Sequence, residues 1–174
     1  PLINIQSREQ LSLDGAWHYI VDPYENGYYD YRYRAFDQSL NPSKNAFFLN
    51  SKQQDKTDLL EYNFDKSPTM TLPTDWNTAD DKLFYYEGTV WFKKSFAMDD
   101  LSKEKRYFLY FGGVNYKAEV YLNGKKLGTH EGGFTPFYYE VSNIIREDNF
   151  VVVKVDNKRK KEAIPTLNTD WWNY

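Results

Sequence analysis

The chain has 174 residues, which corresponds to one domain large enough to bury roughly 70% of the surface of its unfolded form. It contains no cysteine, so disulfide frameworks, thiolate metal sites and cysteine nucleophiles are excluded. Its 22 basic and 25 acidic side chains give a formal net charge of −3, which supplies no field for a nucleic-acid backbone or an anionic membrane. The apolar runs, such as residues 150–153, are far shorter than the ~20 residues that cross a bilayer. We therefore expect neither a nucleic-acid partner nor a membrane span.

The first part of the chain contains one clear strand pattern. A turn at Asp14 and Gly15 leads into an alternating segment that carries Trp17 and Tyr19 and ends near residue 21. From residue 22 to residue 73 the alternation dissolves among prolines, tyrosines and polar stretches. We interpret residues 22–73 as an elaborated surface loop region, with a short helix after Asp55, inside a single domain of residues 1–174.

The second half of the chain has the two-residue period of strands. Residues 89–96 and 106–111 are rich in β-branched and aromatic residues, and the second run is expected to be buried on both faces. Residues 117–122 alternate and run into Asn123 and Gly124, the dipeptide that favours a tight hairpin. Further strands are predicted at residues 125–129, 137–141 and 150–156, the last one buried, with at most one helical turn at residues 142–146. Short strands without long helices predict an all-β fold, an antiparallel β-sandwich.

Composition and motifs indicate little chemistry within the chain. Aromatic residues make up 19% of it, which serves core packing first and also suits surfaces on which sugars stack. His18 and His130 have no partners at metal-ligand spacing, and we expect each to be a surface or hydrogen-bonded histidine. The Gly-Gly pairs at residues 112–113 and 132–133 lack the following helix of a phosphate-binding loop. We therefore expect no metal and no other cofactor. The basic cluster at residues 158–161 is interpreted as a solvated loop that could steer an anionic sugar.

An ordered set of strings nevertheless resembles a known family. The strings are LDGAW at 13–17, LPTDWN at 72–77, YEGTVWF at 86–92, FGGV at 111–114, VYLNGK at 120–125, EGGFTPF at 131–137, VDN at 155–157, IP at 164–165 and DWWNY at 170–174. Together they resemble the N-terminal sugar-binding domain of glycoside hydrolase family 2, the β-galactosidase and β-glucuronidase family. Each string alone is weak, but their order along almost the whole chain is specific.

The resemblance implies a jelly-roll-like, galactose-binding-domain-like sandwich in front of a catalytic barrel. In that family the catalytic acid and nucleophile are glutamates of the barrel, and the acid follows an asparagine. This chain has no Asn-Glu dipeptide and no βα repeat. We therefore expect a fragment without catalysis of its own, whose parent is an exo-acting retaining glycosidase and whose partners are a β-glycoside and the parent's downstream domains.

The resemblance also implies site residues. The aspartate of the family's Asp-aromatic-aromatic-Asn-Tyr string hydrogen-bonds sugar hydroxyls in the barrel's pocket, which maps onto Asp170. Trp171 and Trp172 would wall that pocket or anchor the sandwich against the barrel, and Asn173 belongs to the same string. A second family contact, an asparagine in some members, falls on Thr89, where this sequence departs from the pattern. The alternative interpretation of Asp170 is that it caps a turn.

Two other functions remain open at the level of the sequence. The first is a free-standing carbohydrate-binding module that uses exposed tyrosine or tryptophan faces. The second is a structural sandwich that makes homo-oligomer contacts through the tyrosine-rich residues 24–33. The sugar is not readable beyond a slight preference for the β-glucuronidase branch. Bacterial enzymes of this type that feed on external glycans are commonly periplasmic or secreted, but the chain itself does not indicate a compartment.

Overall fold

The computed structural model describes residues 5–28, 47–49 and 64–162. Within these ranges the chain forms one helical turn, α1 (Trp76–Ala79), and eight strands: β1 (Gly15–Val21), β2 (Thr69–Leu72), β3 (Thr89–Ala97), β4 (Phe108–Phe111), β5 (Lys117–Leu122), β6 (Lys125–Glu131), β7 (Phe137–Glu140) and β8 (Asp148–Asp156). Short 3₁₀ turns occur at Ile5–Ser7, Asn26–Tyr28, Phe47–Leu49, Phe64–Lys66 and Asp81–Leu83. No described helix is long and apolar enough to cross a membrane.

The strands form two antiparallel sheets that pack face to face. The larger sheet has the order β2-β1-β3-β8-β5-β6, and the smaller sheet pairs β4 with β7. One apolar core lies between them, built from the large sheet and from residues of the small sheet such as Leu109 and Phe137. The predicted all-β antiparallel sandwich is confirmed.

Residue alternation in the central strands explains this packing. In β8, Val151, Val153 and Val155 point into the core between the sheets, while Val152 belongs to a cluster on the opposite face. The predicted hairpin is also confirmed, since β5 and β6 pair across the turn at Asn123, whose φ is 51°. Asparagine tolerates this left-handed conformation better than most residues.

The loop region at residues 22–73 differs from its prediction as a surface excursion. Its described parts add the edge strand β2 and cover the outer face of the large sheet with buried Phe47, Phe48 and Phe64. Phe48 stacks on Tyr121 at 4.5 Å between ring centroids, and Phe47 meets Trp91 edge-on at 5.6 Å. The outer face of the large sheet is itself apolar, and these phenylalanines shield it from water. The predicted helix after Asp55 lies outside the described residues.

Strand β4 also differs from its prediction as a strand buried on both faces. Its residues alternate, with Leu109 buried and Tyr110 exposed. The reason is that β4 lies in the small sheet, whose inner face alone meets the core. The turn α1 was not predicted; it begins after Asp75, whose carboxylate accepts a hydrogen bond from the Thr78 amide at 2.9 Å, an ordinary N-cap.

Candidate functional site

The predicted site residues are divided between described and undescribed parts of the chain. Asp170, Trp171, Trp172 and Asn173 lie outside the described residues. Thr89 is the first residue of β3 and is fully buried, and its hydroxyl donates a hydrogen bond to Glu25 Oε1 at 2.9 Å. The structure therefore places Thr89 beneath Glu25, and its contact with sugar stays a prediction.

The residues that could take part in binding or chemistry lie together at one end of the sandwich. Strands β1, β4, β6 and β8 end there, and β3, β5 and β7 begin there, since Thr89 pairs with Asp156, Asp156 with Lys117, and Lys117 with Glu131. We call this surface the exit face, because the chain leaves β8 through it. It comprises the loops at residues 22–28, 84–88, 112–116 and 132–136 and the segment at residues 157–162, which we call the exit segment.

The exit face carries the most exposed aromatic side chains among the described residues. Tyr85 is 90% exposed, Tyr24 82%, Phe134 61% and Phe84 55%. Each lies in one of the loops of this face rather than on a strand. A cluster of large apolar groups around one end of a domain is typical of a surface that contacts another molecule or another part of the protein.

Buried Asp22 builds the loop that follows β1. Its carboxylate accepts hydrogen bonds from the backbone amides of Asn26 and Gly27, each at 2.9 Å, and from the Trp91 indole at 2.8 Å. The side chain is only 1% exposed, so these bonds replace its hydration. Within this turn Glu25 has a φ of 56°, a left-handed conformation that costs a residue with a Cβ roughly 1–2 kcal/mol. The turn thus holds Glu25 in a conformation it would not otherwise prefer.

Glu25 is the electrostatic centre of the exit face. Its Oε1 accepts the Thr89 hydroxyl and lies 3.8 Å from both Lys154 Nζ and Lys158 Nζ. Burial by itself raises the pKa of Glu25, but attraction to Lys154, the Thr89 hydrogen bond and Lys158 outweigh it, so the pKa lies below its usual value. Lys154 is in turn held over the rings of Tyr28 and Trp91, at 5.2 and 5.7 Å from their centroids.

The first three residues of the exit segment each contact the exit face. Asn157 exchanges two hydrogen bonds with Gly88, one from the Gly88 amide to Asn157 Oδ1 at 2.8 Å and one from the Asn157 amide to the Gly88 carbonyl at 3.2 Å. Lys158 reaches Glu25, and Arg159 forms an ion pair with Glu87. The predicted solvated loop is exposed, as expected, but its first basic residues are paired.

The two Gly-Gly pairs join neighbouring loops of the exit face. A Cβ on Gly133 would lie 2.9 Å from Asn115 Oδ1, and a Cβ on Gly113 would lie 3.1 Å from the Gly133 carbonyl oxygen. The Gly132 amide donates to the Tyr116 carbonyl at 2.8 Å. Gly113 and Gly133 therefore permit close packing between the two loops, because a side chain at either position would crowd the neighbouring loop.

Both histidines are hydrogen-bonded. His18 Nδ1 lies 3.1 Å from the Ser67 carbonyl oxygen, and His130 Nε2 lies 3.1 Å from the Thr135 hydroxyl while its ring stacks on Phe137. Among the described residues no group of three or more His, Asp or Glu side chains is arranged to hold a metal ion.

A depression at the opposite end of β3 and β8 is a weaker candidate site. It is lined by Ser95, Phe96, Ala97, Asp148, Asn149 and Phe150. The Asn149 side chain in it already donates to the Arg146 carbonyl and accepts from the Arg146 amide and from Asn123. The Asn149 side chain thus serves the local fold, and the exit face remains the better candidate.

Sequence reasoning did not find Glu25 or Glu87. Glu87 lies inside the string at residues 86–92, in which the family resemblance points to the glycine and to the position of Thr89 rather than to the glutamate. Glu25 lies in a segment without any period, and only its spatial neighbours distinguish it from other acidic residues. Glu25 lies close to Lys154 and Lys158 because β1, β3 and β8 are neighbours in one sheet.

The comparisons with known proteins decide the family. Residues 50–170 match the model of the glycosyl hydrolase 2 galactose-binding domain-like family. The chain belongs to this family. The expected resemblance to the glycoside hydrolase family 2 sugar-binding domain, and the galactose-binding-like type of the sandwich, are therefore confirmed.

Relatives of this glycosyl hydrolase 2 domain are glycosidases. A candidate β-glucuronidase of Formosa agariphila is 32% identical over 146 residues, 82% of this chain and 18% of the relative. A β-galactosidase of Thermoanaerobacter pseudethanolicus is 32% identical over 120 residues, 64% of this chain and 16% of the relative. Among solved structures, Ruminococcus gnavus β-glucuronidase has a TM-score of 0.64 at 26% identity and covers 90% of this chain. The match covers 22% of that structure, so the domain spans about a fifth of the length of these relatives.

Proposed function

We propose that this chain is the non-catalytic, N-terminal sugar-binding domain of an exo-acting retaining β-glycosidase. In this proposal, polypeptide beyond residue 174 carries the catalytic glutamates in a barrel, and residues 1–174 form one accessory domain. Asp170 contributes to the substrate pocket, with Trp171, Trp172 and Asn173 beside it. The names of the relatives support a β-glucuronide or a β-galactoside as the substrate class.

The observation that carries the proposal is that β8 ends on the same face as the loops with exposed aromatic side chains. Asp170 follows the end of β8 by 14 residues, which can span at most ~50 Å when fully extended. Because β8 ends on the exit face, this segment starts on the described face that carries the exposed aromatic side chains Tyr24, Phe84, Tyr85 and Phe134. Exposed aromatic groups of this kind suit contact with another body of polypeptide. Since the relatives are about five times longer than the chain, that body is proposed to be their downstream polypeptide.

The pKa shifts of two carboxyls of the exit face, Glu25 and Glu131, support a non-catalytic role. Retaining glycosidases need a general acid with a raised pKa and a second carboxylate about 5–5.5 Å away. Burial raises the pKa of Glu25, but its cationic neighbours hold it below the usual value. The hydrogen bond and charge of Lys117 lower the pKa of Glu131. The pKa values of both groups are thus lowered, which is opposite to the shift that a general acid needs to donate a proton near neutral pH.

The chemistry of Asp170 fits hydroxyl recognition. A carboxylate accepts charge-assisted hydrogen bonds from two sugar hydroxyls, and a substrate that lacks one leaves a buried oxygen unpaired. We expect Asp170→Asn in the complete protein to lower kcat/KM by about 10- to 100-fold, which corresponds to losing one such bond of roughly 1.5–3 kcal/mol. Asp99→Asn, at an exposed bend of the sandwich, is the matched control and is expected to leave kcat/KM unchanged.

Two assays test the proposal. The isolated chain is expected not to hydrolyse 4-nitrophenyl β-glucuronide or β-galactoside above the buffer rate, and turnover at an enzyme-like rate would refute the non-catalytic role. In the complete protein, an Asp170→Asn variant with the kinetics of Asp99→Asn would refute the role of Asp170.

The exposed aromatics also favour a second candidate, a carbohydrate-binding module that binds sugar by itself. Tyr24 and Tyr85 are flat, exposed groups of the kind on which pyranose rings stack. Calorimetric titration of the isolated chain with oligosaccharides distinguishes the two candidates. The absence of a binding signal, or millimolar affinity, supports a pocket completed by downstream polypeptide. Clear binding that is lost in Tyr24→Ala and Tyr85→Ala supports a module.

A further inference from the structure

We propose that the outer face of the small sheet is a separate carbohydrate-binding surface, formed by Phe108, Tyr110 and Tyr138, for the pyranose rings of an uncharged glycan. We call these three side chains the aromatic platform. The inference goes beyond the proposed function, because both candidate functions use the exit face at one end of the sandwich and neither uses this side of it. The observation behind it is that aromatic side chains occupy positions where a solvent-facing strand normally carries polar ones.

The register of the small sheet brings the three rings together. Tyr110 pairs with Tyr138 across β4 and β7, and Phe108 pairs with Glu140. Residues directly opposite each other point to the same side of a sheet, with their Cβ atoms about 4.5–5.5 Å apart. Phe108 meets Tyr138 edge-on at 5.9 Å between ring centroids. Because the alternate residues of both strands pack into the core, the platform is one continuous aromatic surface that faces away from it.

The platform is open to solvent, unlike the outer face of the large sheet. Tyr110 is 41% exposed and Tyr138 is 39% exposed. In an antiparallel sheet with one face at the surface, the outward positions are normally polar. Phenylalanines of the loop region cover the apolar outer face of the large sheet, whereas no residue in the described ranges covers the platform in this way. Apolar groups gathered on one exposed face are typical of a binding surface.

The size of the platform fits a sugar better than a protein. With roughly 200 Å² of surface for each tyrosine, the exposed fractions of Tyr110 and Tyr138 amount to about 160 Å². A stable protein interface, including one between two copies of this chain, buries about 800 Å² on each partner. A pyranose ring is similar in size to a phenol ring, so a disaccharide unit is sufficient to cover the two tyrosines.

The polar groups around the platform fit an uncharged ligand. Arg106 donates from Nε and Nη2 to Glu140 Oε1 and Oε2 at 3.0 and 2.6 Å, so the two charges cancel. The Arg106 guanidinium also lies 5.1 Å from the centroid of the Phe108 ring. Within the described part of the chain, neither the Tyr110 nor the Tyr138 hydroxyl has a hydrogen-bond partner. Flat rings with free hydroxyls complement a pyranose, whose C–H faces are apolar and whose edges carry hydroxyls.

Affinity electrophoresis of this chain in native gels tests the proposal. The gels contain xylan, β-glucan or galactan as a neutral polymer, or polygalacturonate as an anionic one. We expect at least one neutral polymer to retard the wild type, and Tyr110→Ala and Tyr138→Ala each to weaken that binding about 3- to 10-fold, as expected for the loss of one stacked ring. Added salt is expected to leave the retardation unchanged, because neither the polymer nor the platform carries a net charge.

Two further variants separate ring stacking from folding. Tyr110→Leu with Tyr138→Leu keeps an apolar contact across the strand pair and removes the flat rings, so it is informative even where alanine weakens the small sheet. This leucine double variant is expected to keep the urea midpoint of the wild type and to lose retardation. Leu11→Ala removes an apolar side chain that is 55% exposed but lies outside the small sheet, and it is expected to bind as the wild type does.

Each outcome supports or overturns the proposal. Retardation by a neutral polymer that is lost in the leucine double variant and kept in Leu11→Ala supports it. No retardation by any neutral polymer, or equal retardation of the wild type and the leucine double variant, overturns it. Retardation that is lost in Tyr24→Ala rather than in Tyr110→Ala assigns sugar binding to the exit face and overturns it as well. A dimer in sedimentation that dissociates in the leucine double variant, without retardation by a polymer, assigns the platform to a second copy of the chain instead.

Discussion

Replacing Asp22 by alanine is expected to be among the most destabilising single changes in the described part of the chain. The carboxylate is 1% exposed and accepts three hydrogen bonds, of which the Trp91 indole and the Gly27 amide are donors in buried positions. Each buried donor left without a partner costs about 1–3 kcal/mol, while the Asn26 amide, in a partly exposed position, can turn to water. We therefore expect Asp22→Ala to lower the free energy of unfolding by about 3–4 kcal/mol.

Urea unfolding followed by tryptophan fluorescence measures this loss. With an m-value of roughly 2 kcal/mol/M, the midpoint would fall by about 1.5–2 M. Asp99→Ala, at an exposed bend, is the control and is expected to change the midpoint little.

A double-mutant cycle with Trp91→Phe identifies the mechanism. Phenylalanine keeps an aromatic ring in the cluster but removes the indole donor that Asp22 accepts. If the unpaired donor carries part of the cost, the double variant is less destabilised than the sum of the single variants by about 1–2 kcal/mol. Additive effects, or a loss below about 1 kcal/mol for Asp22→Ala, would refute the reasoning.

Two further predictions concern the exit face. Gly133→Ala places a methyl group 2.9 Å from Asn115 Oδ1, so we expect a loss of about 1 kcal/mol and a fall in Tm of about 2–4 °C. Gly112→Ala, where a Cβ meets nothing within 4 Å, is expected to leave Tm unchanged, and equal effects of the two changes would contradict the loop packing. The pKa of Glu25 is lower in the folded chain than its ordinary value of 4.5, so its ionised form stabilises the fold above that value, and this stabilisation is lost as pH falls through the lowered pKa. Urea midpoints of the wild type and Glu25→Gln should accordingly differ by a constant amount above about pH 6 and converge below pH 4.5; a difference independent of pH would exclude this linkage.

The sandwich was predictable because strand signals are local. The alternation at residues 117–122 and the Asn-Gly turn that follows define a hairpin without reference to the rest of the chain. The valine-rich run at residues 150–156 likewise predicted a buried strand, and β8 has valines buried on both faces. The ordered motif strings predicted the family for a related reason, since each string is a continuous piece of sequence.

The burial of the described phenylalanines of the loop region could not be predicted in the same way. Phe47 and Phe48 share one 3₁₀ turn and Phe64 lies in another, and no period links the two turns. Their role as a cover appears only when Trp91 and Tyr121 are seen side by side on the outer face of the sheet. The exposure of Tyr110 could not be predicted either, because an aromatic run does not indicate whether one face or both faces of a strand will be covered.

By itself, the sequence determined the class of fold, the hairpin and the family, because periodicity, turn residues and motif strings act over a few neighbouring positions. Only the tertiary structure decided that Glu25, Glu87 and the start of the exit segment meet at one end of the sandwich. Glu25 and Lys158 are more than 130 residues apart, and they meet because β1, β3 and β8 are neighbours in one sheet. Strand order is set by the summed burial of both sheet faces, and no short stretch of sequence contains that sum.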